Sequence, residues 1–195
     1  MIRFFTTLCK SLLNIMDDTT VYQNATYRYN YKNEPCQCCG TVGKYTSHDI
    51  YHRSLVYLKN GGSADSRINP QRFLCKSCNV THALLPDIII PYSPYSLRFI
   101  IEVLIAYYER AETVVKICEK FHIAISTLYE WKKRIESQKD LLLGVLISQK
   151  TPALAFLRQL INSNHLSDTL RKFYNKYGFS FMQNKSLPAS RSRPP

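Results

Sequence analysis

Four cysteines fall in two short pairs, within Cys36-Gln37-Cys38-Cys39-Gly40 and Cys75-Lys76-Ser77-Cys78-Asn79. Two thiolates separated by two residues sit on one tight turn, where both sulfurs can reach the same tetrahedral ion. Two such turns brought together by a hairpin complete four ligands and leave no open position for water. The pattern therefore predicts a closed, structural zinc site held by Cys36, Cys39, Cys75 and Cys78. Cys38 lies between two of these ligands and is able to replace a neighbour, but Gly40 favours Cys36 and Cys39, because a glycine after the second cysteine relieves the crowded turn. Of the seven cysteines, Cys9 and Cys118 are left over. Cys118, on the apolar face of a helical segment, reads as a buried free thiol. An odd count with paired C-x-x-C turns points to metal in a reducing compartment rather than to disulfides, so the expected location is cytoplasmic.

A second constellation lies downstream. Leu97, Ile100, Ile101, Leu104 and Tyr108 form one stripe of an amphipathic helix ending near Arg110. Thr113 can cap a shorter helix whose Val114, Ile117, Cys118 and Phe121 face inward. After the break His122-Ile123-Ala124, a third helix repeats Leu128, Trp131 and Ile135 on its inner face. A short helix, a tight turn and a basic helix make the geometry of a DNA reader. Ile125, Ser126, Tyr129, Glu130 and Lys133 are left on the outer face. Residues at the amino end of such a helix reach base edges, so Ser126, Tyr129 and Glu130 are the expected readout residues, and Thr127, Lys132, Lys133 and Arg134 are expected on phosphates. Trp131 is in register with Leu128 and Ile135, which makes it a core residue rather than a base-stacking one.

The elements that must position these residues are legible in outline. Residues 18–35 are polar and tyrosine-rich and read as an extended lead-in. Ile50 to Leu58 has strand-like content, Asn60-Gly61-Gly62 signals a turn, and Arg67 to Leu74 runs into the second cysteine pair. Pro86, Pro91 and Pro94 mark a stiff linker around Ile88 to Ile90 and deny a helix until about Tyr95. Further helices are expected over about 141–149, 152–161 and 167–177. The predicted class is α+β: a small N-terminal β zinc ribbon, a mainly α-helical helix-turn-helix domain, and C-terminal helices. Its expected divisions are an extension over 1–33, the ribbon over 34–90, the helix-turn-helix over 91–140, a helical region over 141–185 and a disordered basic tail over 186–195.

Composition narrows the function. The chain of 195 residues carries a formal charge of +12, and residues 141–195 hold eight Lys/Arg against one acid. Such a segment attracts phosphates, so double-stranded DNA is the expected partner. No run of uncharged apolar residues reaches the length of a membrane span, since Arg98 and Glu102 break the longest one. The stretch Met1 to Met16 has some features of a signal peptide, but Lys10 interrupts it and no small-residue cleavage site precedes Asp17, so it reads as a short amphipathic helix or a poorly placed translation start. His48 and His52 sit among strand-like neighbours and read as surface or packing residues, because four cysteines already close a site. Enzyme chemistry lacks its residues. A zinc deaminase needs a His-x-Glu ahead of Pro35-Cys36, and none precedes it. Two-metal phosphoryl transfer needs several carboxylates, yet only Asp168 follows Asp140.

The segment Val115 to Arg134 resembles the helix-turn-helix of bacterial transposases and related regulators. Ser126, Thr127, Leu128, Tyr129, Trp131, Lys132, Lys133 and Arg134 match that pattern, whereas His122 stands where a left-handed glycine is common and Ala124 where a capping serine is usual. Arg72 to Thr81 resembles the basic-aromatic strand, second knuckle and following threonine of zinc ribbons at the front of insertion-sequence transposases. With Pro91-Tyr92 and Tyr95-Ser96, residues 34–136 are similar to a bacterial family of transposon-associated zinc-ribbon and helix-turn-helix proteins. The resemblance implies DNA binding without catalysis, in a mobile element or in regulation, beside a separately encoded transposase. Two other roles stay open: a transposase fragment or recombinase subunit, and a zinc-stabilised adaptor whose C-terminal helices form a homodimer or partner surface.

Overall fold

A computed structural model of the chain describes residues 2–4, 19–20, 22–23, 30–146, 152–163 and 165–184. The architecture is α+β, with strands in the first half and helices in the second. β1 (Ile2–Phe4), β2 (Tyr45–Ile50), β5 (Gln71–Cys75) and β6 (Val80–Pro86) form a four-stranded sheet in the order β1-β6-β5-β2. β3 (Arg53–Lys59) and β4 (Gly62–Ile68) form a separate two-stranded sheet. All neighbours are antiparallel except β1, which runs parallel to β6.

The β3–β4 hairpin turns on Asn60 and Gly61, whose φ angles of 51° and 77° are the two left-handed positions that a two-residue Asn-Gly turn requires. The expected single strand from Ile50 to Leu58 is interrupted at Tyr51-His52. The break is needed because β2 and β3 belong to different sheets, and the Tyr51 amide donates to Pro70 instead of continuing a ladder. Likewise Asn69-Pro70 divides the run from Arg67 to Leu74 into the end of β4 and the start of β5.

Alternation along β3 sends Leu55 toward Leu85, Ile88, Ile89 and Tyr22, while Val56 and Leu58 pack on the helical core. The hairpin thus lies between sheet and helices with both faces in use. The proline-bounded run, expected as a linker, is buried: Ile88, Ile89 and Ile90 are 4%, 0% and 1% exposed. Its backbone is tied in as well, since the Leu97 amide donates to Ile88 and the Ser96 amide to Val56.

Five helices follow: α1 (Leu97–Glu109), α2 (Val114–Phe121), α3 (Ile125–Leu146), α4 (Ala153–Asn162) and α5 (Leu166–Tyr177). Ser96 caps α1 by accepting from the Phe99 amide, and Thr113 caps α2 by accepting from the Lys116 amide. α1 buries Phe99 and Val103 in addition to the expected stripe of Leu97, Ile100, Ile101 and Leu104. Its buried arc is wide because α2, α3, α4 and β3 all pack on it. Leu141 to Leu146 continues α3 rather than starting a new helix, with Leu142 fully buried in the same core.

At the other end, residues 19, 20, 22 and 23 are helical and Tyr31–Asn33 form a 3-10 turn, so the lead-in is not extended there. Tyr22 accounts for part of that difference: its ring is buried against Leu55 and Leu85, which fixes the local backbone. Ile2–Phe4 pair as a strand, where a short helix was expected, because the β6 edge offers them backbone partners. The rest of that expected helix and the tail over 186–195 lie outside the described residues. Among the described residues no helix is long and apolar enough to cross a membrane.

Candidate metal centre and basic helix

The two cysteine turns have the same backbone construction. Gly40 donates its amide to the Cys36 carbonyl at 2.7 Å, and Asn79 donates to the Cys75 carbonyl at 2.8 Å. Both closing residues are left-handed, Gly40 at φ 75° and Asn79 at φ 57°, the conformation that glycine and asparagine tolerate best. The first turn is held by the Pro35–Val42 bridge and the second joins β5 to β6. β2 brings the turns together: Tyr45 pairs with Cys75, and Lys44 accepts from the Lys76 amide at 2.8 Å.

The sulfurs of Cys36, Cys39, Cys75 and Cys78 converge within 4.8 Å of one another. Cys36 and Cys78 are 3.6 Å apart and Cys39 and Cys75 3.7 Å, far beyond a disulfide bond. A tetrahedral site with metal–sulfur bonds of about 2.3 Å has edges of about 3.8 Å. The four sulfurs therefore have the spacing and softness of a four-thiolate metal centre. Cys38 is outside the cluster and exposed, and it contributes only its amide, 3.4 Å from the Cys36 sulfur.

Two residues that sequence reasoning passed over complete the surroundings. His82, only 2% exposed, places Nε2 3.3 Å from the Cys36 sulfur, and its ring meets Tyr45 edge-on. Burial lowers the His82 pKa to about 4, so the imidazole beside the cluster is neutral at physiological pH. Thr41 lies 3.4 Å from the Cys39 sulfur. Its side chain and backbone hold that thiol down to about 6. At Cys36 burial opposes ionisation, yet the amides of Cys39 and Cys38 outweigh it and the thiol is lowered. Cys78 is pushed up by burial. Metal binding needs all four as thiolates, so an ion and protons compete for the site.

His82 had a readable signal. Counting back by twos from the apolar Leu84 puts it on the inner face of β6. His82→Ala is expected to weaken metal retention by about 10–100-fold in chelator competition. His82→Gln, which keeps a donor, should recover part of the loss. Equal affinity in all three proteins would mean that the imidazole only fills space. His48 and His52 stand apart from the cluster, both exposed, with His52 hydrogen-bonded to Asn69 at 2.8 Å.

The basic helix has a sharply divided surface. Leu128, Trp131 and Ile135 are 0%, 3% and 0% exposed, while Ile125, Ser126, Tyr129, Glu130 and Lys133 face solvent. The turn before it is made by His122, left-handed at φ 50° and ψ 49°, with the buried Ile123 as its anchor. Tyr129 rests edge-on against Tyr107 at 6.3 Å. Thr127 and Lys132 are half-exposed, and Lys132 is 3.6 Å from Glu136. Arg134 differs from its neighbours. Its side chain is 17% exposed, donates to the Met182 carbonyl at 3.0 Å and lies 3.9 Å from Glu130. The C-terminal segment causes this, because Gln138, buried beside Arg134, both accepts from the Met182 amide and donates to the Gln183 carbonyl. Arg134 is thus turned toward the chain itself, Lys132 is half-exposed, and Lys133 is the most exposed cation of the three.

Fold and site together define an α+β protein in which a four-cysteine, metal-type centre is built on the same chain as a basic helix with a solvent-exposed outer face. Residues 36–131, just under half of the chain, match the model of a family described as Domain of unknown function (DUF6431). That match begins on the first cysteine of the cluster and ends on the buried Trp131. No curated protein and no solved structure matches the chain significantly.

Proposed function

We propose that the protein is a non-catalytic, zinc-containing DNA-binding protein, mobile-element related or regulatory, in which β2, β5 and β6 act as a zinc ribbon and α2 and α3 as a helix-turn-helix. The observation that carries the reading is the division of α3: one face is locked into the core by Leu128, Trp131 and Ile135, and the other leaves Ser126, Tyr129, Glu130 and Lys133 exposed to solvent. Zinc is the favoured ion because four soft thiolates at tetrahedral spacing suit it and leave it no open position. The charge of +12 supplies the attraction to a polyanion. A cytoplasmic location, a separately encoded transposase and a homodimer through the C-terminal helices belong to the same proposal.

Binding of the zinc-loaded protein to random duplex, followed by anisotropy across a salt series, tests it. Affinity should fall steeply with salt, each phosphate contact adding about −0.9 to the logarithmic slope. Lys133→Ala should weaken all duplexes alike and reduce the slope by about 1, whereas Ser126→Ala or Tyr129→Ala should reduce discrimination for a selected target by about 1–3 kcal/mol. Salt-insensitive or absent duplex binding would remove this reading in favour of a protein-binding adaptor.

A further inference from the structure

A cleft of about 570 Å³ opens where β3, β5 and β6 meet the turn at Pro91–Pro94, and Tyr51, Arg53, Arg72, Thr81 and Tyr92 are on its walls. Its size is that of a small-molecule site, and its chemistry is cationic and aromatic. Arg53 is half-buried and donates Nη2 to the carbonyls of Ile90, at 2.5 Å, and Ser93. Among the described residues no carboxylate pairs with it. Arg72 stands over the Tyr51 ring at 5.6 Å, and Asp49 accepts from its Nε and Nη2, leaving Nη1 for another acceptor. Three charged groups thus sit in or beside the cleft, and the balance is positive by one.

The rim carries a second signal. Tyr92 is 74% exposed and left-handed at φ 59°. It follows Pro91 in a turn closed by the Ser93 amide on Ile90, at the position where glycine or asparagine is favoured. Residues held in sparsely populated backbone conformations cluster at binding sites, and the left-handed Tyr92 agrees with a role for its ring. An exposed aromatic ring beside a guanidinium with a donor to spare suits single-stranded nucleic acid, because every base offers a π-face and every nucleotide a phosphate.

We propose that this cleft holds one unpaired nucleotide of a DNA strand, with its base against Tyr92 and its phosphate on Nη1 of Arg72, while Arg53 holds the turn that carries Tyr92 through the Ile90 and Ser93 carbonyls. The inference rests on the DNA-binding reading and adds a second contact to it, for a strand end or a melted base next to the duplex held by α3. The test compares a blunt random duplex with the same duplex carrying a short unpaired thymidine tail, using the zinc-loaded full chain. The tail should tighten binding about tenfold. Tyr92→Ala, at an exposed position, and Arg72→Gln should each remove most of that gain, and Lys133→Ala should weaken both duplexes while keeping their ratio. If the blunt duplex binds and the tail adds nothing, or if the gain survives both cleft variants, the cleft inference is overturned and the helix reading stands. If neither duplex binds, the DNA reading fails and the cleft inference with it.

Discussion

Replacing Cys75 by serine is expected to abolish stoichiometric zinc and to unfold the β2–β5–β6 ladder. Cys75 is fully buried and pairs with Tyr45 on one side and Val80 on the other, so the same residue belongs to the four-sulfur cluster and to the ladder. Structural zinc contributes about 10–16 kcal/mol in zinc-finger peptides, against a total stability of about 5–15 kcal/mol for a typical domain. The apolar cluster under the site is small, with Cys36, Tyr45, Phe73, Cys75 and Leu84 as its buried members, and cannot compensate. The β3–β4 hairpin shares its second face with the helices, so amide protection should persist in α1–α3 and decline through the hairpin. Metal analysis and hydrogen exchange on the same sample check this. A wild-type protein that contains no zinc and still protects β5 would refute it. Acidification should release zinc from the wild type by the same logic, since protons compete for thiolates.

Trp131→Ala is expected to cost about 3–5 kcal/mol of folding stability, as deletion of a buried aromatic does. Its ring is 3% exposed and lies edge-on to Tyr95 at 4.8 Å and to Phe99 at 6.2 Å, at the meeting point of α1, α3 and the segment that closes onto β3. For a chain of this size that cost lowers the melting temperature by about 6–20 °C. Zinc content should be unchanged, because Trp131 and the buried cysteines belong to separate core clusters. A variant that melts like the wild type but no longer binds DNA would place Trp131 at the nucleic-acid surface and shift the register of α3.

Local chemistry made several features readable from the chain. The C-x-x-C spacing selects Cys36, Cys39, Cys75 and Cys78 because a tight turn puts two sulfurs on one side. Thr113 and the Leu128, Trp131 and Ile135 repeat locate α2 and α3 because capping and helical period act over a few residues. Asn60-Gly61 marks the hairpin because few other pairs accept two left-handed positions. Features that depend on partners far along the chain were not readable in this way. His82 is beside Cys36 only because β5 and β6 pair in one register, and Ile88 to Ile90 are core rather than linker only because the hairpin and α1 close over them. Arg134 looks like a phosphate contact in sequence, but the segment around Met182 returns and occupies its guanidinium. Metal-binding capacity, helix capping and the core-facing stripe of a helix follow from side-chain type and short-range period, and so are legible along the chain. Which cations remain open to a ligand depends on the folded chain, because a long side chain takes whichever acceptor the fold brings nearest, and that acceptor can lie dozens of residues away, as Met182 does from Arg134.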